Sequence, residues 1–76
     1  MSLTWTPVQS SQINAVAYDL ENSHLFVEFK GGGTYRYEGV PMEKVKAMLK
    51  HESAGRYLSG FIKGTHPCIK VASRVA

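Results

Sequence analysis

Hydrophobic and polar residues alternate over three segments in the first half of the chain, and this alternation is typical of β-strands. Residues 13–19 alternate between two faces with a period of two. Residues 25–29 and 34–38 show the same period. Between the first two segments, residues 19–23 have the polar composition of a turn. These three segments predict an antiparallel β-meander.

A triple glycine at 31–33 stands immediately before the third predicted strand. Glycine readily adopts a positive φ, so this stretch predicts a tight hairpin turn. Tyr35 and Tyr37 then lie on one face of the strand, and Arg36 lies on the other. The register of the hairpin decides whether the two tyrosines belong to the core or form an exposed stacking surface.

Two registers are consistent with this hairpin. A two-residue loop places the tyrosines on the face that carries Phe26. A three-residue loop with a bulge pairs Phe29 with Tyr35 and Val27 with Tyr37 instead. We favour the second register, because a half-buried sheet needs one face that is largely apolar. Both tyrosines are then expected to face the core.

The hydrophobic period changes to that of a helix after residue 40. Pro41 suits the first turn of a helix, and this helix is expected to end near His51. Ser53 is a good N-cap for a second helix, which Gly64 is placed to end. The apolar positions predicted to face the core are Met42, Val45, Met48 and Leu49 in the first helix, and Ala54, Tyr57, Leu58, Phe61 and Ile62 in the second.

This order of elements predicts an α+β fold, with a three-stranded antiparallel β-meander followed by two helices packed on one face. The length of 76 residues is that of a single domain. We expect that domain to span residues 1–76 with its core at about 8–67. Trp5 is expected to anchor a short N-terminal arm by packing. Residues 65–76 are expected to form an irregular C-terminal tail.

Positive charge is concentrated in the second part of the chain. Residues 1–29 contain three acids and no Lys or Arg, whereas residues 30–76 contain all nine basic residues and three acids. A one-sided basic surface favours polyanionic partners. Five basic residues are therefore candidates for nucleic-acid binding: Lys30, Arg36, Arg56, Lys63 and Lys70. Tyr18 or Phe26 could supply an exposed ring for base stacking.

No pattern of catalytic or metal-binding residues is evident. Ser10 and Ser11 lack the local motif of an activated nucleophile, and hydroxyls before a strand more often cap backbone groups. His66 and Cys68 are two potential ligands, whereas a zinc site needs three or four. We therefore expect no enzyme, no metal and no cofactor.

Several segments together resemble a small family, the KTSC domain, which is named after the C-terminus of certain lysyl-tRNA synthetases and also occurs as stand-alone bacterial and phage proteins. The resemblance covers about residues 8–67 in collinear order. It rests on residues 8–13, 15–19, 25–29, 35–37, 40–41 and 53–58, together with Gly32 and Ile62. The motif residues of the family correspond to Tyr35, Tyr37, Ser53, Gly55 and Tyr57. The family often has Asn where this chain has Ser59.

The resemblance implies no catalytic residues, and its synthetase context implies a role in RNA binding. We therefore expect a non-enzymatic module that binds RNA or another single-stranded nucleic acid. The alternative is a module for protein interaction or self-association in a bacterial or phage complex, since a short sheet can pair through an open edge. The single cysteine, and the lack of a signal peptide or an apolar span, predict a cytoplasmic protein with no membrane contact.

Overall fold

The computed structural model describes residues 4–71 and has the predicted α+β class. Its sheet contains five antiparallel strands in the order β1-β2-β3-β4-β5, so the prediction of three strands was wrong. The strands are β1 (Trp5–Pro7), β2 (Ile13–Asp19), β3 (His24–Phe29), β4 (Thr34–Tyr37) and β5 (Cys68–Val71). The helices are α1 (Met42–Lys50) and α2 (Ala54–Tyr57), which continues as a π-helical segment (Leu58–Ile62). None of these helices has the length and hydrophobicity to cross a membrane.

The two strands that sequence analysis missed lie at the edges of the sheet. In β1, Trp5 pairs with Ala17, and Pro7 is tolerated because the outer edge needs no ladder donor. In β5, Cys68 pairs with Tyr37, so the prediction of an irregular tail was wrong for residues 68–71. Residues 72–76 of that tail lie outside the described residues. No residue of β1 or β5 is buried, so neither strand shows the alternation of buried and exposed positions that marks a half-buried strand.

The β3–β4 hairpin has the predicted facing of its tyrosines but a different pairing. Val27 pairs with Tyr35 and Leu25 pairs with Tyr37, whereas the predicted register paired Val27 with Tyr37. The shift is by two residues, and side chains alternate with a period of two, so the tyrosines stay on the predicted face. Arg36 accordingly lies on the opposite face, paired with Phe26.

The turn explains this shift. The Phe29 N–H donates to the Gly33 carbonyl at 3.1 Å, and the Gly32 N–H donates to the Phe29 carbonyl at 3.1 Å. The loop therefore has the predicted three residues but begins at Lys30, one residue earlier than the predicted pairing requires. Gly32 and Gly33 have φ angles of 102° and 90°, which only glycine adopts without strain.

The core lies between the helices and the sheet face that carries Val16, Leu25 and Val27. Tyr37 is 2% exposed and belongs to this core, while Tyr35 is half-buried and packs edge-on against Phe29. The other buried members are Ile13, Val40, Val45, Met48, Ala54, Leu58 and Ile62. Both tyrosines are therefore largely structural, as the sequence predicts.

The helix boundaries agree with the predictions, but two predicted core residues are exposed. Pro41 precedes α1 and His51 ends it, while Ser53 caps α2. Leu49 is 43% exposed and Phe61 is 55% exposed, so both were wrongly assigned to the core. The hydrogen bonds of a π-helix join residues i and i+5, so the wider turn no longer keeps Phe61 on the stripe that a regular α-helix would present.

Candidate nucleic-acid interface

The five predicted nucleic-acid-binding residues do not form one cluster. Arg36 lies on the sheet face away from the helices, and its Nη2 donates to the Glu38 carboxylate at 2.8 Å. Lys70 is on the edge strand β5, and Lys63 follows the π-helical segment. Of the five, Arg56 is the one that lines the cleft described next. The Lys30 backbone N–H is bonded to the carbonyl of Gln12, another residue of that lining.

A polar cleft of about 550 Å³ separates the loop before β2 from the second helix. Its lining comes from two segments that are far apart in the sequence, residues 10–12 and residues 53–60. The lining residues are Ser10, Ser11, Gln12, Ser53, Gly55, Arg56, Ser59 and Gly60. We call this feature the serine cleft.

The loop side of the serine cleft is held by one hydroxyl. Ser10 Oγ accepts hydrogen bonds from the backbone N–H groups of Gln12 at 3.1 Å and Ile13 at 3.2 Å. Ile13 is fully buried, so this loop is anchored in the core immediately after the cap. The Lys30 N–H donates to the Gln12 carbonyl at 2.8 Å, which places the start of the β3–β4 loop beside the cleft. Ser10 thus caps backbone groups, as the sequence predicts.

The helical side begins at Ser53, whose Oγ accepts from the Arg56 N–H at 3.4 Å. The Ser53 N–H donates to His51 Nδ1 at 3.0 Å. Hydrogen bonds of Ser53 therefore hold the segment between the two helices to His51 on one side and to the start of α2 on the other. Ala54 is buried in the core, and the neighbouring Arg56 is exposed. This local order directs one helical face to the core and leaves Arg56 in the lining of the cleft.

Gly55 allows the two sides to approach closely. A Cβ at this position would lie 3.2 Å from Gln12 Oε1 and 3.4 Å from Ser10 Oγ. The contact with Gln12 is tighter than ordinary packing, so a larger residue would displace the Gln12 carboxamide. The family motif residues Ser53 and Gly55 therefore have a structural explanation here, as the cap of α2 and the point of contact with Ser10.

The charge of the serine cleft is one-sided. Its lining contains one guanidinium group and no carboxylate. Lys30 is exposed, and its backbone N–H is bonded to the carbonyl of Gln12, a residue of the lining. Hydroxyl, amide and guanidinium groups all donate hydrogen bonds, so the arrangement favours an anionic ligand that is rich in acceptors.

The aromatic rings proposed for stacking on bases are not available. Phe26 is 7% exposed and has edge-on contacts with Trp5 and His24. The Tyr18 hydroxyl donates to the Val40 carbonyl at 2.6 Å, which holds this ring against the core. The expectation that either Tyr18 or Phe26 is an exposed ring was therefore wrong. The contact with Phe26 agrees with a packing role for Trp5.

The shifted pKa values of this protein belong to groups outside the serine cleft. Burial raises the pKa of the Tyr37 hydroxyl, and its partner Cys68 adds to this increase. Burial also lowers the pKa of His66, and the nearby Lys44 lowers it further. Within residues 4–71, no group of three His, Cys, Asp or Glu residues lies close enough together to hold a metal ion.

Sequence analysis did not assign Ser11, Gln12 and Ser59 to any site. No local pattern could have done so, because the segments that form the cleft are about forty residues apart. One indication was present: residues 8–13 and 53–58 are both among the segments that carry the family resemblance. The fold brings these two segments together at the serine cleft.

The fold and this cleft define a small α+β domain with a polar cleft that is lined by one arginine and no acidic residue. The family model of the KTSC domain matches residues 9–66, and the chain belongs to the KTSC domain family. A KTSC domain protein from Yersinia pestis has a similar crystal structure, with a TM-score of 0.89 and 37% sequence identity. That likeness covers 93% of this chain and 100% of the Yersinia chain.

Two bacterial relatives also match most of the chain. An uncharacterized protein of Stutzerimonas stutzeri is 44% identical over 59 residues, which cover 78% of this chain and 83% of the relative. A protein of Tsukamurella paurometabola is 44% identical over 57 residues, covering 75% of this chain and 85% of the relative. Neither name states an activity.

Proposed function

We propose that this KTSC domain is a non-enzymatic module that binds single-stranded RNA across the serine cleft. The observation that carries this proposal is the cleft itself, which has a guanidinium and several hydroxyls in its lining and no carboxylate. The exposed Lys30 is bonded through its backbone to Gln12 of the lining. RNA presents closely spaced phosphates to such a surface, and its affinity for proteins is dominated by this electrostatic contact.

The packing of the aromatic rings supports one kind of RNA binding over another. Sequence-specific recognition usually stacks unpaired bases on exposed aromatic rings. Here Phe26 and Tyr18 are held by packing and hydrogen bonds, and no aromatic residue lines the serine cleft, so phosphate contacts are the main source of affinity there. Binding should therefore depend steeply on salt and only weakly on base sequence.

The test compares Arg56→Glu with Lys46→Glu. Both residues are exposed, and both substitutions change the net charge by the same amount, but only Arg56 lines the serine cleft. Anisotropy of a labelled single-stranded RNA of about 12 nucleotides should show a log–log salt slope of about −0.7 per phosphate contact. We expect R56E to raise the Kd for RNA about tenfold or more. The increase in Kd caused by K46E should be several-fold smaller than that caused by R56E.

Two results would refute this proposal. One is the absence of salt-sensitive binding by the unchanged protein at low ionic strength. The other is an equal loss of affinity in R56E and K46E, which would show a general charge effect rather than binding at the cleft. Thermal unfolding of both variants serves as the control for folding.

A second candidate function is association with another copy of the chain through β5. Within the described residues, β5 pairs with β4 on one side only, and its Ile69 side chain is 44% exposed. A strand with an open edge can accept another strand. Sedimentation should then show a dimer that Ile69→Lys weakens, and a monomer at high protein concentration would exclude this candidate.

A further inference from the structure

We infer that the serine cleft is a binding site for a single phosphate group together with its attached sugar. This inference deepens the proposed function, on which it rests for RNA as the source of that phosphate. The argument depends on the hydrogen-bonding capacity that remains to the lining residues after their contacts within the protein are counted.

Ser10 is restricted to the role of a donor. A serine hydroxyl has two lone pairs and one proton. The N–H groups of Gln12 and Ile13 occupy the two lone pairs of Ser10 Oγ, so its O–H group is what remains for a ligand. A fixed donor at the cleft needs an acceptor opposite it, and phosphate oxygens are strong acceptors.

The remaining lining adds donors around the same space. The hydroxyls of Ser11 and Ser59 make no hydrogen bond to another residue of the described chain. The Arg56 guanidinium can bind two oxygens of one phosphate in parallel. The lining contains no Asp or Glu, so no full negative charge within it opposes an anion.

The size of the cleft indicates more than a bare ion. Its volume of about 550 Å³ is within the usual range of small-molecule sites and exceeds what a phosphate fills. The Gln12 carboxamide, which lies over Gly55, supplies both a donor and an acceptor. In a nucleotide, the sugar next to the phosphate carries a hydroxyl that can donate a hydrogen bond. The Gln12 carboxamide oxygen can accept that bond while the donors of the cleft bind the phosphate.

The first experiment uses inorganic phosphate and the uniformly 15N-labelled protein, with chloride at matched ionic strength as the comparison. We expect saturable shifts of the backbone amide signals concentrated in residues 10–12 and 53–60. The double variant S11A/S59A removes two hydroxyls without changing the net charge, and we expect it to weaken phosphate binding about fivefold. R56A should weaken it about tenfold or more.

Phosphate-induced shifts that are spread over all basic residues, or that are equal in S11A/S59A and the unchanged protein, would overturn the inference. Because Ser11 and Ser59 are exposed, the double variant is expected to fold, and its melting curve checks this. Should it fail to fold, Ser59→Asp places a negative charge in the cleft, and unchanged phosphate binding in that variant would overturn the inference equally.

The second experiment separates the inference from the proposed function. It compares RNA oligonucleotides with and without a terminal phosphate in the same variants. Binding that the cleft variants weaken supports the inference. If that binding also requires the terminal phosphate, the cleft holds a terminal group, and if it does not, the cleft holds an internal phosphodiester. Localised binding of phosphate without any binding of RNA would support the inference and refute the proposed function. RNA binding that S11A/S59A and R56A leave unchanged would overturn the inference, even if RNA binding itself were established.

Discussion

Lys44 Nζ lies 2.9 Å from His66 Nε2 and joins α1 to the turn that precedes β5. The same ammonium donates to the Phe61 carbonyl at 3.2 Å. An ammonium group only donates hydrogen bonds, so His66 Nε2 accepts here, which requires the neutral ring with its proton on Nδ1. A protonated His66 would replace this contact with repulsion between two positive charges.

This contact predicts that stability falls in mildly acidic solution. Burial, followed by the charge of Lys44, lowers the pKa of His66 from its ordinary value of 6.5. The unfolded chain therefore takes up a proton at a higher pH than the folded chain. The contribution of His66 is fully present above about pH 6.5 and is lost as the pH falls toward its lower folded pKa.

The measurement is the free energy of unfolding in urea between about pH 7.5 and pH 5. His66→Gln keeps an amide that can accept from Lys44 but does not titrate, so it should flatten the pH dependence in this interval. If the variant and the unchanged protein lose stability with the same slope, other groups are responsible and the assigned protonation state of His66 is wrong.

A second prediction compares two glycines of the same helical stretch. Gly60 has open space where a Cβ would lie, and Gly60→Ala should raise the free energy of unfolding by about 0.5–1 kcal/mol through the unfolded chain. A Cβ at Gly55 would approach Gln12 Oε1 to 3.2 Å. The gain from Gly55→Ala should therefore be smaller by about 0.5 kcal/mol or more. Urea unfolding measures both variants. If Gly55→Ala and Gly60→Ala raised the free energy of unfolding equally, the two sides of the serine cleft would not be in contact at Gly55.

A third prediction concerns the π-helical segment. Phe61 is 55% exposed, and its ring lies against Tyr57 with centroids 4.7 Å apart. We expect Phe61→Ala to cost about 0.5–1.5 kcal/mol, which is the size of one aromatic contact. Leu58 is 2% exposed, and Leu58→Ala should cost about 2–5 kcal/mol. Chemical denaturation of both variants checks this, and a cost for Phe61→Ala that matches Leu58→Ala would place the phenyl ring in the core.

The differences between the predicted and the observed fold show which features the sequence could indicate. The face of Tyr35 and Tyr37 follows from alternation with period two, and this property survives a register shift of two residues. The exact pairing depends on where a run of three glycines turns, and identical residues carry no information on that point. The exposure of Phe61 depends on π-helical hydrogen bonds, which apolar spacing alone does not indicate.

The candidate site was less predictable than the fold for a related reason. Of the basic residues chosen from charge alone, Arg56 lines the serine cleft, whereas Arg36 is paired with Glu38. Charge patterning along a chain does not reveal which side chains share a surface. Ser11 and Ser59 belong to the cleft only because β2 and the second helix pack on the same core.

The last prediction separates two adjacent serines at the cleft. Ser10 Oγ accepts from two backbone N–H groups, one of which belongs to the fully buried Ile13. Ser10→Ala leaves both donors without this partner and should lower the free energy of unfolding by about 1–2 kcal/mol. Ser11 is exposed and makes no such bond, so Ser11→Ala should change it by less than about 0.5 kcal/mol. Urea midpoints that shift at constant slope would measure the difference, since the slope reports the surface exposed on unfolding. If both variants were equally stable, water would satisfy the two N–H groups as well as Ser10 does, and the loop side of the cleft would not be held by this hydroxyl.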